Sequence, residues 1–473
     1  MGWREVAAPV RMQRVALVCP KAVLRDMLVQ VADAGVVEID RATSDANPGE
    51  SPDSCLRAAA PDLGDLERDG RSELLAGEAE LRTYADGAVV RDEIAALAGW
   101  VPTTELPALT SRLSDVGAGV VPITAPRGVD PPSLLHRGKD LRRSFTALVE
   151  TYGSVPYADV DPSVLAGIAY VLMFGMMFGD AGHGALLVIL GFGMRAGRPR
   201  VLARFHKAWP FVVGSGLAAI VFGLLYGEFF GPTGVVPVLW LAPLDQPVTL
   251  MAVALGVGAV FLAGAQIVGT VNRWREGGWP LALSAPSGVA GGALLAGLGL
   301  IVLGANGRLG WLIVAGALVM AGGVALAYIG FLAAAGRGAA GVTQASVEVF
   351  DAVIRVGANL VSFTRLAAFG LTHAALGKIV WDGTAGLWRS GGVLMAAAVI
   401  VFVVGNVLAF ALEALVAGVQ ALRLEYYELF SRIFADQGRP FRPWHVPTER
   451  TGTGELQSTI SSTPIGATIG RKP

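Results

Sequence analysis

Charge is scarce in this chain: Asp, Glu, Lys and Arg make up 16% of its 473 residues while 53% are hydrophobic, and the mean hydropathy is +0.55. An ordinary soluble protein of this size is excluded by that balance. Cysteine is scarcer. Cys19 and Cys55 are the only two, without CxxC spacing or neighbouring histidines, so a structural metal or redox motif is not indicated and both read as reduced thiols. The N-terminus MGWREVAAPVRMQRVALVCP lacks a continuous apolar stretch followed by a small-residue cleavage site, which argues against a secretory signal and for an N-terminal region that stays in the cytoplasm. A GxxxxGK[ST] phosphate loop is also missing. The nearest string, GRGAAGVT from Gly336, has no Lys to reach phosphates, so nucleotide hydrolysis is not expected of this chain. Neither a cofactor, a metal nor a nucleic-acid partner is expected.

The acidic residues lie mostly before Asp161, and very few occur between there and Phe434. The chain therefore reads as an α-helical membrane protein with a small N-terminal α/β cytoplasmic domain: residues 1–162 cytoplasmic, 163–434 transmembrane, and 435–473 a cytoplasmic, largely disordered tail. RVALVCPKAVLRDMLVQVADAGVVEID, from Arg14, predicts a strand, an amphipathic helix ended by Gly35, and a second strand. Residues 42–75 read as a Pro-, Ser- and Gly-rich linker. Glu78 to Leu97 predicts one or two helices, and Trp100-Val101-Pro102 opens a further strand followed by a helix in TTELPALTSRLSDVGAG. A basic helical stretch through Arg142 and Arg143 suits anionic headgroups.

Seven apolar runs follow, at roughly 164–194, 208–231, 248–274, 283–304, 309–335, 344–380 and 391–434. The first is interrupted by Gly179, Asp180, Gly182 and His183, which have the composition of a hairpin turn. Bending the run there makes about eight crossings, puts the loop with Arg195, Arg198, Arg200, Arg204 and Lys207 inside, and leaves both termini cytoplasmic. The last two spans exceed the roughly 30 Å hydrocarbon core, so a long, tilted pair is expected.

An ionisable residue inside a membrane span costs roughly 2.5–3.5 kcal/mol on insertion scales and is a functional candidate by default. Such residues concentrate on the last two spans. In the first of them Asp351, Arg355, Ser362, Arg365, Thr372 and His373 share one broad helical face at about 100° per residue. The final span carries Glu413, Gln420 and Arg423, with Glu425 and Glu428 toward its end. In that topology His373 and Glu413 lie outward of Arg365 and Gln420, while Asp351, Glu425 and Glu428 lie inward. Glu228, beside an outer boundary, is open between serving the outer path and facing water.

Several segments, taken in order, resemble the a subunit of V-type ATPases, which is subunit I in bacterial and archaeal rotary ATPases. They are MFGMMFGDAGHGALL, LLYGEFFG, FTRLAAFGLTHAALG and ALEALVAGVQALRLEYYELFSRIFADQGRPFRPW. The resemblance spans about Met12 to Trp444. It departs between Asp40 and Trp100, where only about 60 residues stand in place of the family's long coiled-coil arm. By resemblance the chain is a membrane stator working against a rotating ring of small carboxylate-bearing subunits, with central and peripheral stalk subunits and a catalytic head as further partners. Arg365 is then the essential arginine between two half-channels and Arg423 a supporting arginine with Gln420 its hydrogen-bonding neighbour. The outer half-channel is assigned to His373 and Glu413, the inner one to Glu425 and Glu428, with Ser362, Asp351 and Glu228 as further candidates. Proton and sodium remain alternatives for the ion. A proton-coupled secondary transporter and a non-translocating membrane adaptor are the rival readings.

Overall fold

The computed structural model describes residues 9–40, 54–126, 129–135, 144–146, 148–149, 151, 153–197, 205–336, 338–434 and 438–449. Two compact units are formed: Val10–Leu134 together with Arg439–Pro473, and Met1–Pro9 together with Leu135–Gly438. The basic stretch at Arg142 and Arg143, the arginines at 198, 200 and 204, and the tail from Thr451 lie outside the described residues.

The first unit is built on a central strand, β1 (Met12–Pro20), whose Val15, Leu17 and Cys19 alternate into the core. Helix α1 (Leu24–Ala34) packs Met27, Leu28 and Val31 beneath it and ends where Gly35 turns left-handed at φ 60°. After β2 (Glu38–Ile39) and β3 (Leu56–Arg57) come α2 (Leu63–Arg68) and α3 (Ser72–Asp86), then β4 (Val89–Arg91), β5 (Ile94–Pro102), α4 (Leu106–Asp115) and β6 (Gly119–Pro122). The main sheet runs β2-β5-β1-β6 with β4 beside β5, and β5 lies antiparallel along the whole of β1, from Met12 opposite Pro102 to Pro20 opposite Ile94.

Three sequence expectations are corrected here. The described part of the linker, 54–75, contains β3, α2 and the start of α3, because Leu56, Leu66 and Leu74 each find an apolar partner surface. The helical reading of Glu78 to Leu97 fails from Val89 onward, and Trp100-Val101-Pro102 closes β5 instead of opening a strand. The β-ladder with β1 overrides the local Ala- and Leu-rich composition of that segment.

The C-terminal segment is corrected too. Residues 439–449 are not loose tail but a strap on this unit: Trp444 and Val446 are buried in its core, Trp444 packs on Tyr84 with ring centroids 4.3 Å apart, and β7 (Thr448–Glu449) pairs in parallel with β3. Glu449 accepts hydrogen bonds from Arg57 and Arg71, both at 2.8 Å, and Thr448 donates to Asp33 at 2.7 Å. The Arg57 and then Arg71 guanidiniums hold the Glu449 carboxyl below its ordinary range, and the Thr448 hydroxyl, with Arg112, does the same for Asp33. A depressed folded-state value means that the stabilisation is complete above the ordinary carboxyl value of 4.5 for Glu and is lost as pH falls through the depressed value. The strap amides are therefore expected to be protected from hydrogen exchange near neutrality and to lose that protection on acidification, with the loss beginning at higher pH in Arg71→Ala. Protection factors, corrected for the intrinsic exchange rate, that do not change with pH would refute this.

The second unit is helical. Helices α5 (Ser163–Met177) and α6 (Ala181–Ala196) form the short hairpin, followed by α7 (Trp209–Tyr226), α8 (Pro247–Ser284), α9 (Val289–Asn306), α10 (Gly310–Ala335), α11 (Ala339–Ser362), α12 (Thr364–Ser390) and α13 (Leu394–Leu424). Among the described residues six helices, counting α11 with α12, are long and apolar enough to cross a membrane, and the hairpin supplies the two shorter apolar ones. Continuous apolar faces with Val248, Val260, Leu318, Val399 and Leu415 exposed on them suit contact with lipid. The fold is that of a helical membrane protein with a small N-terminal α/β domain.

The long span expected over 344–380 carries an irregular turn at Phe363 (φ −72°, ψ −9°). Here Phe363 N–H bonds Leu360 O and Leu366 N–H bonds Phe363 O, tightening the helix by one residue. The Phe363 ring is fully buried against Gly258 of α8, where an added Cβ would sit 2.3 Å from the ring. A second irregularity ends the last span, where Glu425–Phe430 continues α13 as a π-helix before Ser431–Ile433 resumes α geometry.

Candidate functional site

The hairpin turn is organised by one carboxylate. Asp180 caps α6 by accepting from His183 N–H at 2.8 Å, and it also accepts from Phe230 N–H at 3.0 Å and Gly231 N–H at 2.7 Å. Its side chain is fully buried, so these charge-assisted bonds replace the water it has lost. They also hold Phe230 at φ 50°, a left-handed conformation disfavoured for an aromatic residue. Helix α7 reaches the turn because residue 223 is glycine: a Cβ there would lie 2.2 Å from Ala181 N.

On this frame the ionisable residues assemble into two groups. In one, His373 of α12 has Nδ1 against the carboxylate of Glu413 on α13 and Nε2 facing Glu228 at 3.9 Å. His183 joins it, with imidazole centroids 5.7 Å apart, and Phe178 lies against both rings. Glu228, His373 and His183 are all buried. Glu228 thus turns inward beside His373 and does not face water.

In the other group, Arg365 on the first turn of α12 places one guanidinium nitrogen 3.4 Å from Glu428 Oε1, with the arginine side chain 29% exposed and Glu428 buried. Glu425 lies in the same π-helix and is 1% exposed. The π-helix brings both acids onto the buried side together with Leu429 and Phe430. Eight residues of α-helix separate Arg365 from His373, about 12 Å along the axis at ~1.5 Å per residue. Buried carboxylate or amide oxygens on Glu413, Gln420, Glu425 and Glu428 have no hydrogen-bond partner among the described residues, an arrangement that ordered water commonly completes.

The remaining candidates are not drawn into these groups. Asp351 pairs with Arg355 of its own helix and lines a separate cavity of about 380 Å³ with Glu348, Asn359 and Arg432. Ser362 donates back to Ala358 O at 3.1 Å. Arg423 is exposed and has no ion-pair partner among the described residues, and no hydrogen bond joins it to Gln420. Sequence reasoning missed the nearness of His183 to His373, since 190 residues of separation carry no signal. It also missed Asn406, an amide in the apolar first half of α13 that packs near His183 and donates to Phe402 O at 2.9 Å; its polarity in such a run was the available clue.

Helices crossing a membrane, with buried acids, histidines and an arginine converging between them, define a polytopic membrane protein with an intramembrane ionisable site. Residues 88–234 match the V-type ATPase 116kDa subunit family. The chain is 26% identical over 389 residues to the A-type ATP synthase subunit I of Pyrococcus horikoshii, covering 80% of this chain and 58% of that protein. It is 27% identical to the subunit I of Aeropyrum pernix, covering 69% of this chain and 52% of that protein. A shorter stretch of 164 residues is 33% identical to the V-type ATP synthase subunit I 2 of Treponema pallidum, covering 33% of this chain and 35% of that protein. The chain is similar to the V/A-type ATPase subunit a (subunit I) family, and it spans little more than half the length of the archaeal relatives it matches.

Proposed function

We propose that this chain is the membrane stator of a rotary V/A-type ATPase and carries protons, or sodium, between a rotating ring and the two sides of the membrane. Arg365 presents a permanent positive charge to each passing ring carboxylate and favours its ionised form. Away from the arginine an ionised carboxylate facing lipid is strongly disfavoured, so each ring site must be neutralised before it leaves. Glu228, His373 and Glu413 form the outer path and Glu425 with Glu428 the inner one. Both termini lie in the cytoplasm, and a nucleotide-hydrolysing head and stalks are separate chains.

The observation that carries this reading is the division of the buried acids into two groups along α12, one at His373 and one at Arg365 itself. A direct wire between them would leak; an intervening guanidinium obliges the ion to travel on the ring. Purification of the full chain from its native membrane is expected to bring down a small ring protein of two or four helices and nucleotide-binding subunits. A stable preparation lacking both would overturn the proposal.

A further inference from the structure

Among the described residues neither ring nitrogen of His183 makes a hydrogen bond of ordinary length, Asn406 lying beside it but outside that range, although the residue is 2% exposed. An imidazole must donate or accept somewhere when buried. Its surroundings hold two further donors of metal-ligating type: atoms of Asp180, His183 and His373 come within 4.8 Å of one another. Glu228 adds a fourth, 3.9 Å from His373 Nε2. His373 is already oriented for such a role. Its Nδ1 is engaged by Glu413, leaving Nε2 aimed into the cluster, which is the carboxylate–histidine relay that fixes a metal-binding imidazole.

We propose that this cluster is a binding site for a borderline divalent cation of the zinc type, held by His183, His373 and Glu228 with Asp180 completing the set. Two nitrogens and carboxylate oxygens select zinc-like ions over magnesium or calcium, which prefer all-oxygen shells. Bonds of roughly 2.0–2.2 Å bring ligand atoms closer than they stand here, so the rings of His183 and His373 swing inward on binding. Asp180 keeps its backbone bonds: among the described residues its Oδ2 accepts only Gly231 N–H and has a lone pair to spare. Net charge favours a dication, because three carboxylates, Asp180, Glu228 and Glu413, face two imidazoles.

An ion there removes His373 and Glu228 from proton exchange, and inhibition rests on the function proposed above whereas binding does not. The test is a titration of the full chain in detergent, freed of any affinity tag, with Zn2+ and with Co2+ as a spectroscopic stand-in. One tight equivalent is expected, with a Co2+ spectrum of low-symmetry nitrogen and oxygen ligation. Glu413→Gln, which removes the orienting carboxylate and one negative charge but no ligand, is expected to weaken binding by about 10–100-fold, and His183→Gln and Glu228→Gln by at least as much. The exposed histidine His206 serves as the control, and His206→Gln is expected to change nothing. Absence of stoichiometric binding, or affinity unmoved by both His183→Gln and Glu228→Gln in correctly folded protein, overturns the site. Tight binding without any inhibition of ion pumping in the assembled complex leaves the site standing and counts instead against an outer path through His373.

Discussion

Replacing Arg365 by alanine is expected to reduce ATP-driven ion pumping by the assembled complex in vesicles to below about a hundredth of its normal rate, the fall that removing ~3 kcal/mol of electrostatic stabilisation produces. The guanidinium stands beside Glu428 and is partly exposed, and in the proposed scheme it is the charge that meets each ring carboxylate. Removing it leaves Glu428 buried without its counter-charge. Arg365→Lys is expected to recover little, because a lysine offers a shorter point charge in place of the planar fork and can lose its proton when desolvated. The measurement is uptake of the pumped ion, as acidification for protons or radioactive sodium for Na+, by vesicles containing complexes whose subunit composition matches the parent. Pumping by Arg365→Ala at the parental rate would sink the proposed role of this residue and with it the two-path scheme.

Asp180→Ala is expected to cost the helical unit several kcal/mol, enough to prevent recovery of folded protein. The carboxylate serves three backbone N–H groups, one on α6 and two on the 228–231 loop. Each buried donor left without a partner costs roughly 1–3 kcal/mol, against a typical domain stability of about 5–15 kcal/mol. Asp180→Asn keeps one oxygen able to accept two of these bonds and presents an amide to Gly231 N–H, so an intermediate loss is expected. Detergent-extracted yield and the thermal unfolding midpoint order the series as parent, Asn, Ala. An alanine variant as stable as the parent would show that the turn is held by packing alone.

The membrane architecture was legible in the sequence because its causes are local. Apolar runs long enough to span, a Gly-Asp-Ala-Gly turn inside the first of them, and charges thinning out after Asp161 each reflect an energy paid residue by residue in a bilayer. The short N-terminal domain was less legible. Its β5 gains strand geometry from pairing with β1 across some eighty residues of sequence, and α2 and α3 arise where composition suggested a linker. Trp444 and Val446 looked like the start of a tail, yet they complete the core of the first unit. Patterns within a window cannot report a surface built by distant segments.

The ionisable site divides in the same way. Which residues are costly in a membrane, Arg365, His373, Glu413, Glu425 and Glu428 among them, follows from the sequence alone, since the desolvation penalty belongs to the residue type and the apolar run around it. Which of them meet was decided only by the tertiary structure. The turn at Phe363 and the π-helix from Glu425 alter helical phase by amounts that no periodicity argument contains, and together they set Glu428 against Arg365. The Asp180 frame brings His183 beside His373 and turns Glu228 inward, through backbone donors contributed by a loop fifty residues away. A side chain's chemical type is written in the chain, whereas its partners depend on helix packing and backbone irregularities that exist only once the chain has folded.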